Sequence, residues 1–454
     1  MKTLMEDNIL KRKVSSILIC ILFVVNIFSS TIGIAGFIRR DIDNIANNPL
    51  EGGWIEERDG IKILHVSGSN YEMGYQQGFL LKNEIEQNYR AIFNLDHEEI
   101  YPYILELWNT VIKNHIPHEY INEIWGIANG SGRSFEDVVV FTIGFATFLF
   151  GLHCMEMSAW GPSTIDGKLI HMRSYDIPLH CKDPESGVYI QENQILIVRK
   201  PDNGHLSLYA SFAGDAFSKG GINEKGLAIS CESSPCSDVT LNATWFSCRI
   251  LMVLDNGSTS DEAINIMTSS RTGSSNYVIS DGNIPTAFVI EETANFSYVG
   301  TWDNEIESTP PFWEIDHVVR RKNFYIHPTL ASTQRNYYNP RIYFFLDLII
   351  NDDCNWFTTW RFYKTLSLEI EELLGNLDLD NTMDMLRSIY RGETDFILNL
   401  YGRFGSDPFY ASRQWVSYPE NGDIIISFAD NIYQAQYNQV NYFNLYELYE
   451  TEPP

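Results

Sequence analysis

The stretch CMEMSAWGPSTIDGKLIHMRSYD, residues 154 to 176, constrains the chain more than any other. Two strand-like runs flank the dipeptide Asp166-Gly167. Such a dipeptide signals a hairpin, because its glycine takes a positive φ without a side-chain clash. The hairpin returns residues 171–176 beside 154–160. A thiol, Cys154, then opens one strand, and a charged pair, Arg173 and Asp176, closes the other. Strand alternation alone does not put both charges beside the thiol. A bend after Tyr175 is therefore expected.

The rest of the chain divides around this hairpin. Residues 41–153 read mostly as helix: YEMGYQQGFLLKNEIEQNYRAIF (71–93) and EYINEIWGIANGSG (119–132) have helical periodicity, and the second ends in glycine. SFEDVVVFTIGFATFLF (134–150) opens on a Ser134–Asp137 cap. After Cys154, short β-rich runs alternate with turn signals. NGSTSDEAINIMTSS (256–270) is a capped helix, and NYVISDGNIPTAFVIEE (276–292) a hairpin. Helices return over 359–393, and QWVSYPENGDIIISFAD (414–430) is a last hairpin on Asn-Gly. One α+β domain, with helices around stacked antiparallel sheets, is the simplest account.

A formal charge of −27 argues against a nucleic-acid partner, since binding phosphates takes Lys and Arg. Lys11-Arg12-Lys13, the apolar run 17–28 and the small residues after it form a signal-peptide pattern over residues 1–35, with a cleavage site at Gly33-Ile34-Ala35. The competing reading is an uncleaved anchor, with membrane association through residues 14–38. Either way the basic flank stays inside and the body of the protein lies outside the cytoplasm.

Of the seven cysteines, Cys20 belongs to the apolar segment. The other six face an oxidising compartment. If Cys154 stays free, five remain, so at least one more is unpaired or no disulfide framework exists. There is no CxxC and no HExxH, and neither a cofactor nor a metal is called for. NLDLDNTMD, from residue 376, lacks the glycine and closing acid of a calcium loop and reads as a capped helix start.

A cysteine thiol is mostly protonated at neutral pH and needs a base. A cysteine that begins a chain carries one, its own α-amino group with a pKa near 8. That solution requires a cut before the cysteine, and groups that hold the amine and orient the thiol.

Cys154 with SAWG (158–161), TIDGKLIHMRSYD (164–176), GGINEKGLAIS (220–230) and NYVISDG (276–282) resembles the acyl-coenzyme A:6-aminopenicillanic acid acyltransferase-like family of N-terminal-nucleophile hydrolases. The segment 71–85 is similar to that family's region upstream of the cut. The resemblance implies a four-layer αββα sandwich with a helical N-terminal segment derived from the propeptide. It divides the chain into 36–153 and a catalytic core, 154–454. It implies autocleavage at His153–Cys154: the thiol attacks the His153 carbonyl, the peptide C–N bond breaks, and the resulting thioester hydrolyses. Cys154 is then the nucleophile, Arg173 and Asp176 organise its thiol and amine, and Asn276 is the oxyanion-hole candidate. The substrate class implied is a small acyl amide, with lipid-like amides included. The chain departs from many relatives at RSYD, where Ser174 stands for an asparagine, and at Met155, where Ser or Thr commonly follows the cysteine.

Blander readings stand beside these. Cys154 follows an apolar run and suits a buried core cysteine in a non-catalytic binding protein. Arg173 with Asp176 suits a structural ion pair, and Asn276 a strand or turn cap. His153, His171 and His180 are expected to be hydrogen-bonded structural residues, and Trp160 and Trp415 core.

Overall fold

The computed structural model describes residues 48–96, 99–144, 154–335, 339–341, 358–392, 411–431 and 433–454. The N-terminal apolar segment, Cys20, His153 and Cys354 lie outside them. Asp59-Gly60 takes positive φ at both residues, 52° and 78°, and joins strands β1 (Trp54–Arg58) and β2 (Ile61–Gly68). The part that follows, up to Gly144, is mostly helical as expected, so this hairpin is the exception the reading missed. Its Asp-Gly turn between alternating residues is the same signal that marks the 154–176 hairpin.

Nine described strands form one sheet. Their order is β1, β2, β5 (Gln194–Pro201), β6 (Ser207–Phe212), β7 (Gly220–Asn223), β8 (Leu227–Ser233), β9 (Ser275–Asp281), β10 (Thr286–Glu292) and β11 (Ser297–Gly300). Six form the other, in the order β12 (Val318–Lys322), β3 (Met155–Ala159), β4 (Ile170–Asp176), β13 (Ala411–Tyr418), β14 (Asp423–Phe428) and β15 (Asn441–Asn444). β2 runs parallel to β5, whereas β3 and β4 form the expected antiparallel hairpin, Met155 facing Ser174 and Ala159 facing Ile170. Mixed α+β is therefore the fold class.

Alternation sorts the side chains into layers. Ile63, Leu196 and Leu208 of the first sheet pack with Trp415, Ile426 and Phe443 of the second. On its other face the first sheet sets Ile229 and Ile279 with Ile250 and Leu254 of the Phe246–Asn256 helix. The second sheet's other face packs Met155, Met172 and Val416 with Phe362 and Leu366 of the Thr358–Glu372 helix and Leu386 and Ile389 of the Leu379–Arg391 helix. Asp378 caps that last helix, its side chain accepting from Asn381 N at 2.7 Å, as the capped-start reading expects. The capped helix read over 256–270 is Ser260–Thr268, with Thr259 as its cap, and the Phe246–Asn256 helix precedes it.

The Asn70–Leu80 helix crosses the His118–Ser131 helix at glycines. A Cβ at Gly74 would lie 2.2 Å from Glu123 O, and one at Gly126 2.2 Å from Tyr71 O. Gly78 and Gly130 repeat the arrangement one turn on, at 2.4 Å from Ile127 O and 2.3 Å from Tyr75 O. Only glycine fits such an approach of two helix backbones. The buried Arg199 on β5 ties the pair to the sheet, donating to Glu123 at 2.6 and 3.0 Å and to Asp255 at 2.9 and 3.1 Å.

Candidate active site

Cys154 stands at the head of β3, next to β4, with a side chain 1% exposed. It belongs to the apolar cluster that includes Tyr175 and Phe212. Burial pushes its thiol up to about 12, against the pull of the Arg173 guanidinium and of a hydrogen bond from the Asp176 backbone N–H. Glu156 and Arg173 are register partners, so both face the layer between the sheets, and so do His171 and Tyr175.

Arg173 donates through Nη2 to Cys231 Sγ at 3.7 Å, and its Cζ lies 5.0 Å from the centre of the Tyr175 ring. Its charge is opposed by burial and favoured by the Cys231 and Cys154 thiols and by Glu156, which together hold its pKa above the ordinary value. Gly220, at φ 143°, leaves it room: a Cβ there would sit 2.8 Å from Arg173 Nη1.

β4 continues straight through Asp176, so the expected bend after Tyr175 does not occur. The irregularity lies on the neighbouring strand, between Ala411 and Arg413 of β13. Asp176 therefore points away from Arg173, toward the helices. Its Oδ1 accepts from Ser174 Oγ and its Oδ2 from Tyr390 OH, both at 2.6 Å. Burial raises its pKa to about 6, with Lys322 pulling the other way. Ser174 thus serves Asp176.

Asn276 is buried on β9 between Glu232 and Glu291 in register. Its Nδ2 donates to Glu232 Oε1 at 3.0 Å, Lys322 O at 3.1 Å and Phe324 O at 2.9 Å. Asn223 holds the turn after β7, its Oδ1 accepting from Lys225 N and Leu227 N. His171 lies between Ser280 Oγ at 2.8 Å and Ser230 Oγ at 2.9 Å, stacked on Trp415, and burial pushes it down to about 3. It is a neutral, structural histidine at ordinary pH, while His180 is exposed. Cys154, Cys181, Cys231, Cys236 and Cys248 are all free thiols.

Two buried cations escaped the sequence reading. Lys322, the last residue of β12, donates from Nζ to the Cys154 carbonyl oxygen at 2.6 Å. Burial lowers its pKa, and Asp176, Glu232 and Cys154 act in the other direction. Arg413 sits in register with Tyr175, its Cζ 4.4 Å from that ring and 5.2 Å from Phe212, with Nη1 3.3 Å from Gln194 Oε1. Burial pushes Arg413 down to about 10. Only the register of distant strands brings Lys322 to the Cys154 carbonyl and Arg413 to the Tyr175 ring. The one hint in the sequence is that VVRRK interrupts an otherwise apolar strand with consecutive cations.

No family model matches the chain. An uncharacterised protein of Archaeoglobus fulgidus is 23% identical over 401 residues, which is 78% of this chain and 62% of that protein. The chain thus spans less than two thirds of that relative's length. Among solved structures, a variant of the conjugated bile acid hydrolase of Clostridium perfringens is similar at 15% identity and a TM-score of 0.40, covering 65% of this chain and 93% of that one. The Caenorhabditis elegans ortholog of N-acylethanolamine-hydrolyzing acid amidase is similar at 12% identity and a TM-score of 0.35, covering 59% and 93%. Among the described residues no helix is long and apolar enough to cross a membrane.

Proposed function

We propose that the chain is an exported, self-cleaving amidohydrolase or acyltransferase of the N-terminal-nucleophile class, built as a four-layer αββα sandwich. One observation carries the reading: polar groups converge on a cysteine otherwise wrapped in apolar side chains. The Asp176 N–H bonds its sulfur, the Arg173 guanidinium, bonded to Cys231, acts on it by charge, and Lys322 holds its carbonyl oxygen. A cysteine that merely fills a core has no use for three such partners. The apolar layers on both sides of each sheet support the sandwich.

Cleavage at His153–Cys154 begins with attack of the thiol on the His153 carbonyl; the peptide C–N bond breaks as the acyl group passes to sulfur and the nitrogen takes the proton, and water then hydrolyses the thioester so formed. The new α-amine then serves as base. In turnover the thiol sulfur adds to a substrate amide carbonyl while its proton passes to the α-amine. Collapse expels the amine, which takes that proton and leaves an acyl-cysteine. Water or a second amine resolves it. Arg173 stabilises the thiolate electrostatically and Asp176 orients the amine; Asn276, the oxyanion candidate, would have to release an N–H that it now gives to Glu232, Lys322 O or Phe324 O. Export rests on the N-terminal pattern, with residues 1–35 removed or 14–38 kept as an anchor. Small acyl amides, lipid-like ones included, are the substrate class.

A second reading, a binding protein in which Cys154 is structural, draws on the 1% exposure of the thiol and its pKa of about 12. Denaturing electrophoresis with N-terminal sequencing decides between them. Self-cleavage gives two chains, the longer beginning at Cys154, while Cys154→Ala stays whole. A wild-type chain that stays whole sinks the enzyme reading.

A further inference from the structure

Glu156 and Arg173 lie side by side in register, both buried on the same face, and they form no ion pair. Arg321 flanks Glu156 from the other side, in register on β12. It is taken by Glu291 at 2.9 Å and Glu307 at 2.5 Å. Glu156 instead accepts from the Ser230 hydroxyl of the facing sheet at 2.5 Å, and its Oε1 has no hydrogen-bond partner. Two residues along β8 on the same face, Glu232 accepts from Asn276, and its Oε2 has no partner either. Each of these buried carboxyls thus keeps an unsatisfied oxygen in a layer that also holds guanidinium groups.

Two carboxylates in that state are not stable arrangements. An ionised Glu156 would draw in the neighbouring guanidinium, because a buried charge without a partner is far costlier than a paired one. A protonated carboxyl needs no cation, and one proton on the pair removes the repulsion between the two acids. We propose that Glu156 and Glu232 hold a shared proton at neutral pH, and that neutral Glu156 is the positioning residue that leaves the Arg173 guanidinium to the sulfurs of Cys154 and Cys231. The proposal rests on the reading of Cys154 as a nucleophile.

The surroundings fit. Like-charge repulsion from Glu156 adds to burial in raising Glu232, against Lys322, Asn276 and Arg321, and burial raises Glu156 to about 7 against Ser230, Arg173, Arg321 and a hydrogen bond from the Val278 N–H. His171, which touches Ser230, contributes no charge at ordinary pH. Glu291 is engaged by Arg321 and by the N–H groups of Ile326 and His327, so it competes for no further proton donor. Lys322, beyond Glu232, is turned to the Cys154 carbonyl. When the pair loses its proton, the Glu156 carboxylate captures Arg173, and Cys154 loses the cation that favours its thiolate. The reactivity of the thiol then falls with rising pH, where an ordinary thiol's climbs.

Two measurements test this on the full-length protein. Infrared difference spectra of wild type against Glu156→Gln and Glu232→Gln at neutral pH are expected to show a protonated-carboxyl stretch that either substitution removes. Alkylation of Cys154 by iodoacetamide, located by peptide mass, is followed from about pH 5.5 to 9. The wild-type rate is expected to peak and decline, and the Glu156→Gln rate to keep rising, about tenfold higher at the alkaline end. Glu232→Gln keeps Glu156 without its acidic neighbour, so its rate is expected to peak and decline at lower pH than wild type, and it serves if the first variant misfolds. No carboxyl stretch in wild type, or the same pH profile in all three proteins, overturns the proposal. A carboxyl stretch and a peaked profile in a protein that forms no acyl-cysteine with any amide support the shared proton and remove the hydrolase reading instead.

Discussion

Lys322 Nζ donates to the main-chain carbonyl oxygen of Cys154 across 2.6 Å, joining the end of β12 to the residue that opens β3. The bond fixes the backbone of the proposed nucleophile independently of its side chain. Lys322→Met leaves that carbonyl without its charged donor. The expected cost is roughly 1–3 kcal/mol of stability, with slower self-cleavage. Urea unfolding and a processing time course check both, and a variant cleaved at the wild-type rate would remove Lys322 from the site.

Asp176 gives the folding free energy a pH dependence. Burial raises its pKa from 3.8 to about 6. Between those values the native protein keeps a proton that the unfolded chain has lost, so stability falls as pH rises through this window. The span corresponds to about 3 kcal/mol. Asp176→Asn is expected to flatten the stability profile there, leaving a residual slope toward neutrality from Glu156, which is raised to about 7. Urea titrations at several pH values read it directly, and an unchanged slope would contradict the assignment.

Gly220→Ala tests the gap that Arg173 occupies. The added Cβ meets Arg173 Nη1 at 2.8 Å and Ile229 O at 2.7 Å, on a backbone at φ 143°. Displacement of the guanidinium is expected to slow Cys154 alkylation at neutral pH about tenfold, with a stability loss of roughly 1–3 kcal/mol. Alkylation at the wild-type rate in a folded variant would show that Arg173 does not govern the thiol.

The helix crossing makes a prediction remote from the site. Gly126→Ala places a methyl 2.2 Å from Tyr71 O and 2.7 Å from Tyr75 N. Backbone cannot yield as a flexible side chain does, so roughly 2–4 kcal/mol of destabilisation is expected. Thermal and urea unfolding measure it; a loss below about 0.5 kcal/mol would mean that the helices separate freely.

Local signals in the chain were legible where they involve neighbours in sequence. The Asp166-Gly167 hairpin, the Gly132 helix end and the Asp378 cap each depend on a few adjacent residues, and each appears in the structure. The β1–β2 hairpin carried the same kind of signal at Asp59-Gly60 and was overlooked among helical segments. The site was legible only in part. Alternation sufficed to separate Arg173 from Asp176, but not to show that the strand runs straight while its neighbour takes the irregularity at Ala411/Arg413. Lys322, Arg413 and Glu232 come from strands distant in sequence, and only sheet order reveals what they touch.

The β2–β5 pairing matches Ile63 through Gly68 with Leu196 through Pro201, and so stitches residues from before position 154 into a sheet made mostly of residues after it. Arg199 clasps Glu123, and Asn88 and Tyr89 reach Ala213 O and Gly214 O, across the same divide. A break ahead of Cys154 would therefore yield no loose fragment. The two polypeptides would travel as one inseparable particle, and gel filtration would not register the cut that denaturing electrophoresis reveals.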